Sequence, residues 1–265
     1  MATIDSFLSN VDHNEKVFYV HNTKIEGQLS MHSHDKHQLC YVEGGVAFLN
    51  TETASYFLPA RHFLWIPAGI RHLVDSRTSI KKVHNIFFPT FLFPKDHKVK
   101  QQEGIYPVTN LLMEMIYYTE SWQGEVSKSD SMRYEFLTAL KNIVLEVSNV
   151  PLPIALPTTH NESLRVILKY IHHHINQPLS LTNVADEFSY STRSLSRLFQ
   201  NNMDTSFLQY VKLTRIIKGM EALLQTNLAV SDIAYKCGFN SLSAFSYTFQ
   251  QVVKKSPLEF RKESL

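Results

Sequence analysis

The chain has 265 residues, 44% of them apolar and 19% charged, with a formal net charge of +2, a globular composition that argues against disordered and membrane-spanning classes. No apolar run approaches a spanning helix and the start MATIDSFLSNVDHNEK is too polar and acidic for a secretory leader, so a cytoplasmic protein without membrane contact is expected. Charge is uneven, with 12 Lys and Arg against 8 Asp and Glu in residues 159–265 and 14 against 16 in the rest; the excess permits a nucleic-acid partner without requiring one.

From Val17 to about Pro89, short aromatic and β-branched runs (VFYVH, QLCYV, VAFLN, SYFL, HFLWI, VHNIFF) are separated by Gly44-Gly45, Asn50, Pro59 and Pro67-Ala68-Gly69. This spacing predicts a β-sandwich or barrel, with Gly44-Gly45 as a tight hairpin turn. Two amphipathic helices are expected next. The first starts at Pro107 and carries Leu111, Leu112, Met115, Ile116 and Tyr118 largely on one face. The second follows a cap at Ser129 or Asp130, with Phe136, Leu137, Leu140, Ile143, Val144 and Val147 at steps of three and four. Such a pair packs either on its own β-domain or on a second subunit. Cys40 and Cys237 lie in different halves in apolar surroundings and read as reduced packing residues.

VPLPIALPTTHN, residues 150–161, holds three prolines and no helical period and reads as a linker. A helix with Leu164, Ile167, Leu168 and Ile171 on its apolar stripe then runs until Pro178 ends it. His172-His173-His174 invite a metal reading, but three consecutive helical residues point in different directions, so a solvated helix end is expected.

The remainder contains an internal repeat. Residues 184–211 align on 233–261, Ala185 falling on Ala234 and Tyr190 on Phe239; after one inserted residue Leu195 falls on Phe245, Phe199 on Phe249, Ser206 on Ser256 and Tyr210 on Phe260. Each copy reads helix, turn, helix. In the first, Ser180 caps a short helix broken at Ser189-Tyr190, and Ser191 caps a second whose Leu195, Leu198 and Phe199 face inward. Thr192, Arg193, Ser196 and Arg197 are left outside, where a DNA-reading helix presents side chains to the major groove. Arginine bonds guanine O6 and N7 in bidentate fashion. In the second copy, after Gly238-Phe239, Ser241 caps a helix whose Phe245 and Phe249 point inward and whose Leu242, Ser243, Ser246 and Tyr247 point out. That set favours hydroxyl bonds and contact with thymine methyls.

Between the copies, residues 207–225 predict one long helix with Phe207, Tyr210, Val211, Ile217, Met220 and Leu224 inside. Nineteen residues span roughly 28 Å, approaching the roughly 34 Å between successive major grooves on one duplex face. Gly219 within it suggests close packing. Lys212, Arg215 and Lys218 form a basic row open to two readings, phosphate contact or a solvated face.

LSLTNVADEFSYSTRSLSRLFQ, SFLQYVKLTRI and DIAYKCGFNSLSAFSYTFQ with KSPLEFR resemble the DNA-binding domain of AraC/XylS-type bacterial transcription regulators over both helix-turn-helix units. By that resemblance the outward residues named above occupy base-contacting positions. Three departures stand out: the glycine usual after each recognition helix is Asp204 in one unit and Lys254 in the other, and Tyr247 stands where arginine is frequent. His32-Ser-His34, Gln38 and Gly45, then Pro67-Ala-Gly69-Ile-Arg-His72, resemble the two motifs of a cupin barrel, a domain that in such regulators binds a small effector and helps dimerisation. Gln38 replaces the acid of metal-binding cupins and Arg61 the second motif's first glycine. His32, His34, Gln38 and His72 are therefore expected at one barrel mouth as the effector site, with His32, His34 and His72 as metal ligands only in a less favoured reading.

The expected fold is α+β in two domains. Residues 1–149 form a cupin-like β-barrel with two appended helices, for effector binding and dimerisation; 150–161 are a linker. Residues 162–265 form an all-α AraC-type DNA-binding domain of two helix-turn-helix units joined by a long helix. The expected function is a sequence-specific, effector-controlled regulator of transcription, an activator by the family's commonest habit. Its partners would be double-stranded DNA, a small-molecule effector, RNA polymerase and a second copy. Neither a cofactor nor enzymatic activity is expected, since no nucleophile elbow, phosphate loop or dinucleotide fingerprint is present. The alternatives are a metal-dependent cupin enzyme or metal sensor tethered to a DNA-binding domain, and a barrel that only dimerises.

Overall fold

The computed structural model of the chain describes residues 4–23, 30–43, 47–58, 61–76, 82–94, 103–148, 151–152 and 154–263. The Gly44-Gly45 turn and Pro59 lie outside them. Contacts divide the chain into two compact units, one of Met1–Thr51 with Leu58–Leu152, the other of Glu52–Phe57 with Pro153–Leu265.

In the first unit the aromatic and β-branched runs become β1 (Phe18–Thr23), β2 (His37–Glu43), β3 (Ala47–Thr51), β5 (His62–Ile66) and β7 (Lys82–Phe88); β4 (Ala54–Leu58) is divided between the units. Among the described residues of this unit, a helix α1 (Ile4–Asp12), the strands β6 (His72–Ser76), β8 (Gly104–Pro107) and β9 (Gln123–Val126) and a single 3-10 turn at Thr90–Leu92 were not expected. The larger sheet is antiparallel in the order β8-β5-β2-β7-β1-β9, and β3 pairs with β6 from Ala47↔Ser76 to Thr51↔His72. Register places Val20, Ile86, Leu39 and Trp65 opposite one another across four strands. All four are fully buried, and side chains opposite on neighbouring strands share a face.

That row is covered by α2 (Asn110–Tyr118) and α3 (Ser131–Val147), whose Leu112, Ile116, Leu137, Leu140 and Val144 are fully buried in the same core. Each such side chain contributes roughly 1.5–3 kcal/mol by leaving water. α2 starts later than expected. Pro107 is the last residue of β8, a sheet-edge strand where its missing N–H is tolerated, and Thr109 is the cap, accepting from Leu112 N at 3.2 Å. The shift corrects the expected face: Leu111 and Tyr118 are 58% and 59% exposed. α3 begins after Asp130, which accepts from the backbone N–H of Arg133. Cys40 is a buried thiol in this unit and Cys237 in the other.

In the second unit, β10 (Ala155–Pro157) pairs antiparallel with β4, so the stretch expected as a linker holds a strand. The helices follow the predicted order, α4 (Glu162–His173), α5 (Leu181–Glu187), α6 (Thr192–Met203), α7 (Phe207–Gln225), α8 (Val230–Lys236) and α9 (Leu242–Val253), and a further helix, α10 (Pro257–Glu263), was not expected. α7 buries Leu223 where Leu224 was expected, and Gly219 is as tightly packed as its place in a helix suggested: a Cβ there would lie 2.7 Å from the Phe245 ring. The repeat extends to capping. Ser206 and Gln209 form a reciprocal capping box at α7, and Ser256 and Glu259 exchange the same pair of bonds at α10.

Candidate nucleic-acid interface and effector site

α6 is built to present one face. Ser189 takes a left-handed φ of 57° in the preceding turn, and Ser191 accepts from the backbone N–H of Ser194 at 3.0 Å. Leu195, Phe199 and Met203 bury the inner stripe, with Phe199 packed edge-on against Phe207 and Tyr210 of α7. Thr192, Arg193, Ser196 and Arg197 are exposed. Among the described residues neither arginine makes a hydrogen bond or ion pair within the chain, so both guanidinium groups keep their donors. α9 repeats the device: Ser241 accepts from Ala244 N at 3.1 Å, and Phe245, Thr248, Phe249 and Val253 are buried. Leu242, Ser243 and Tyr247 are exposed and Ser246 half-buried.

The basic row on α7 is corrected. Arg215 donates from Nε to Ile175 O at 3.2 Å and from a terminal nitrogen to Gln177 O at 2.8 Å, and Lys218 donates to His172 O at 3.1 Å. Two of the three cations thus serve carbonyls inside the unit, because α7 runs through its centre; Lys212 alone of the three is exposed. The histidine run is corrected as well. His172 Nε2 meets the Tyr210 hydroxyl at 3.0 Å with the rings stacked, and His174 donates from Nδ1 to Tyr170 O at 2.9 Å, leaving His173 as the exposed member.

In the first unit the cupin-like residues do come together. A two-way backbone bridge joins His32 to His72, with N–H to O distances of 2.9 and 2.7 Å. Ring centroids lie 4.4 Å apart for His32 and His72, 5.0 Å for His34 and His72, and 6.2 Å for His32 and His34. Each ring turns Nδ1 to a backbone carbonyl, of Ser30, Lys36 and Ile70 respectively, which fixes its orientation; at His32 and His72 this leaves Nε2 as the working nitrogen, whereas His34 Nε2 faces Gln38. Burial lowers all three imidazoles; for His72, with His34 and His32 adding to the effect, to about 3. Gln38 is committed to the cluster: Oε1 lies 2.9 Å from His34 Nε2, and its nitrogen donates to Asn85 Oδ1 at 2.7 Å. His72 Nε2 is buried without a partner among the described residues.

These residues do not fit a metal centre. An amide occupies the carboxylate's place and engages His34, and among the described residues no group of three His, Cys, Asp or Glu is arranged around a common point for an ion. Gly45 lies outside the described residues. Arg61, in place of the motif's glycine, keeps a left-handed φ of 57°. Sequence patterns missed a separate cleft of about 470 Å³ between Glu15–Val17, Thr90–Phe91 and Ser127–Lys128. It is assembled from three turns distant in the chain and carries no motif.

Two family models match: residues 184–263 fit one described as a helix-turn-helix domain, and residues 17–81 one described as an AraC-like ligand binding domain. The HTH-type transcriptional activator RhaS of Shigella sonnei is 23% identical over 87% of either chain. The uncharacterized HTH-type transcriptional regulator YfiF of Bacillus subtilis is 25% identical over 97% of this chain and 88% of its own. The C-terminal domain of AraT, a response regulator from Geobacillus stearothermophilus, is 30% identical at a TM-score of 0.38, covering 39% of this chain and 86% of that structure.

Proposed function

Because this chain belongs to the AraC family of DNA-binding transcription regulators, we propose that it is a sequence-specific activator of transcription whose grip on duplex DNA is set by a small effector. The observation that carries this reading is the outer face of α6. A capped helix with a buried inner stripe offers Thr192, Arg193, Ser196 and Arg197 near its start with the arginine donors uncommitted, and α9 offers Leu242, Ser243, Ser246 and Tyr247. Lys212 contributes phosphate contact. The directional bonds come from the first unit and the apolar contact from the second. Selection of duplexes from a random pool, followed by binding measurements, tests the assignment. Arg193→Ala or Arg197→Ala should cost about 1–3 kcal/mol and relax preference at one end of the site. An equal loss on every sequence would make them phosphate contacts instead.

The effector reading rests on the His32, His34, Gln38 and His72 cluster, where His72 Nε2 is a buried acceptor with no partner among the described residues. A ligand bearing a donor satisfies it, and binding shifts the balance between DNA-competent and incompetent arrangements. Dimerisation is assigned to the outer faces of α2 and α3, where Leu111, Tyr118 and Met132 are more than half exposed. Met132→Glu should convert a dimer to a monomer by native mass spectrometry. No helix among the described residues is long and apolar enough to cross a membrane, and the protein acts beside RNA polymerase in the cytoplasm. Transcription from the selected site with purified polymerase, with and without the protein, tests activation.

A further inference from the structure

We propose that Arg215 is the positioning residue that sets the distance and angle between the two DNA-reading helices, and so determines which spacing of half-sites the protein accepts. Its guanidinium donates to Ile175 O and Gln177 O, in the segment that leaves α4 for the first helix-turn-helix unit. The same group lies 6.0 Å from the centroid of Phe239, in the turn of the second unit. One side chain on α7 therefore joins the segment that leads into the first unit to the turn of the second.

The surrounding backbone is shaped around it. Gly238, in the turn of the second unit, has φ +83°; a Cβ there would overlap Ile175 O and stand 2.9 Å from the Arg215 guanidinium nitrogens. Only glycine lets the two segments approach so closely. One turn further along α7, Gly219 admits the Phe245 ring of α9, and Phe239 packs edge-on against Phe245 at 5.3 Å. Arg215 and Gly219 thus share the face of α7 on which the second unit is seated, while Phe199 of α6 packs against the start of the same helix. The carbonyls that receive Arg215 follow the C-terminus of α4, where the aligned peptide dipoles favour a cation. Lysine cannot replace it, since one ammonium group does not hold two carbonyls and a ring in a fixed plane.

The inference rests on the reading that α6 and α9 both contact DNA, and the experiment separates the two. The full-length protein is measured against duplexes carrying the selected site with zero, one or two base pairs inserted between its halves. The wild type should prefer one spacing by about tenfold or more, the effect expected when one half loses its contacts. Arg215→Lys and Gly238→Ala should narrow that preference to about threefold and lower the best affinity, with the salt slope unchanged because no phosphate contact is lost. Discrimination at the bases read by Arg193 should survive. A wild-type spacing profile in both variants overturns the proposal, as does a salt slope reduced by about one in Arg215→Lys, which would mark a phosphate contact. If Arg193→Ala and Tyr247→Ala leave sequence preference untouched, it is the DNA-reading assignment of α6 and α9 that fails.

Discussion

Asp204 and Lys254 close α6 and α9 with left-handed backbones, at φ 48° and 65°, a conformation that costs an L-residue about 1–2 kcal/mol. Asp204 recovers part of this by accepting from Gln200 Nε2 at 2.7 Å. Lys254 is exposed and makes no comparable side-chain bond among the described residues. Lys254→Gly should therefore stabilise the protein by roughly 0.5–1 kcal/mol, after allowing for the greater freedom of glycine in the unfolded chain. Asp204→Gly should yield less. Urea midpoints with unchanged slopes check both, and an equal gain at the two sites would show that the aspartate bond contributes nothing. Such turns are legible where glycine marks them; here only the departure from the family's usual residue pointed to them. The role of Arg215 was not legible at all, because its partners Ile175 and Gln177 lie 40 and 38 positions away.

The two short helices that open the helix-turn-helix units differ in one element of design. α5 starts at Ser180, whose hydroxyl accepts from Asn183 N at 3.1 Å, whereas α8 starts at Ala229, which makes no side-chain cap bond. Ala229→Ser should raise stability by about 1 kcal/mol and Ser180→Ala lower it by a similar amount, read as shifts in the thermal midpoint of the helical signal. A neutral result at Ala229 would mean that solvent already satisfies those N–H groups. Caps, periodicity and the long helix α7 were readable because each is written within a few residues of itself. β8 and β9, GIYP and QGEV, were not. Neither alternates, and their extended form comes from pairing with β5 and β1 rather than from their own side chains. Helix faces were readable only to within one position: Leu111 and Leu224 fell outside the buried stripes, while Leu112 and Leu223 fell inside.

At the scale of the molecule the two units carry different liabilities. The helical unit was legible almost throughout, but the β-unit hides a polar group that no local pattern reveals. His84, fully buried on β7, finds no hydrogen-bond partner for either ring nitrogen among the described residues. Its ring lies 6.0 Å from Tyr41 and 5.7 Å from Tyr117. Burial, reinforced by Lys82 and opposed by Glu120, lowers it to about 4 from an ordinary value of 6.5. The unfolded chain thus binds a proton below about pH 6.5 that the folded unit refuses. Stability is at its full value above that pH and falls as the pH drops toward about 4, by at most about 1.4 kcal/mol per pH unit for one histidine. Both tryptophans of the chain, Trp65 and Trp122, belong to this unit, so tryptophan fluorescence follows its unfolding alone. Urea titrations at pH 7.5, 6.0 and 5.0 should give falling fluorescence midpoints, and His84→Phe should flatten the trend between pH 6 and 5. An unchanged slope in that variant would return the acid sensitivity to the imidazoles of the His32, His34 and His72 cluster, which are lowered in the same direction by burial.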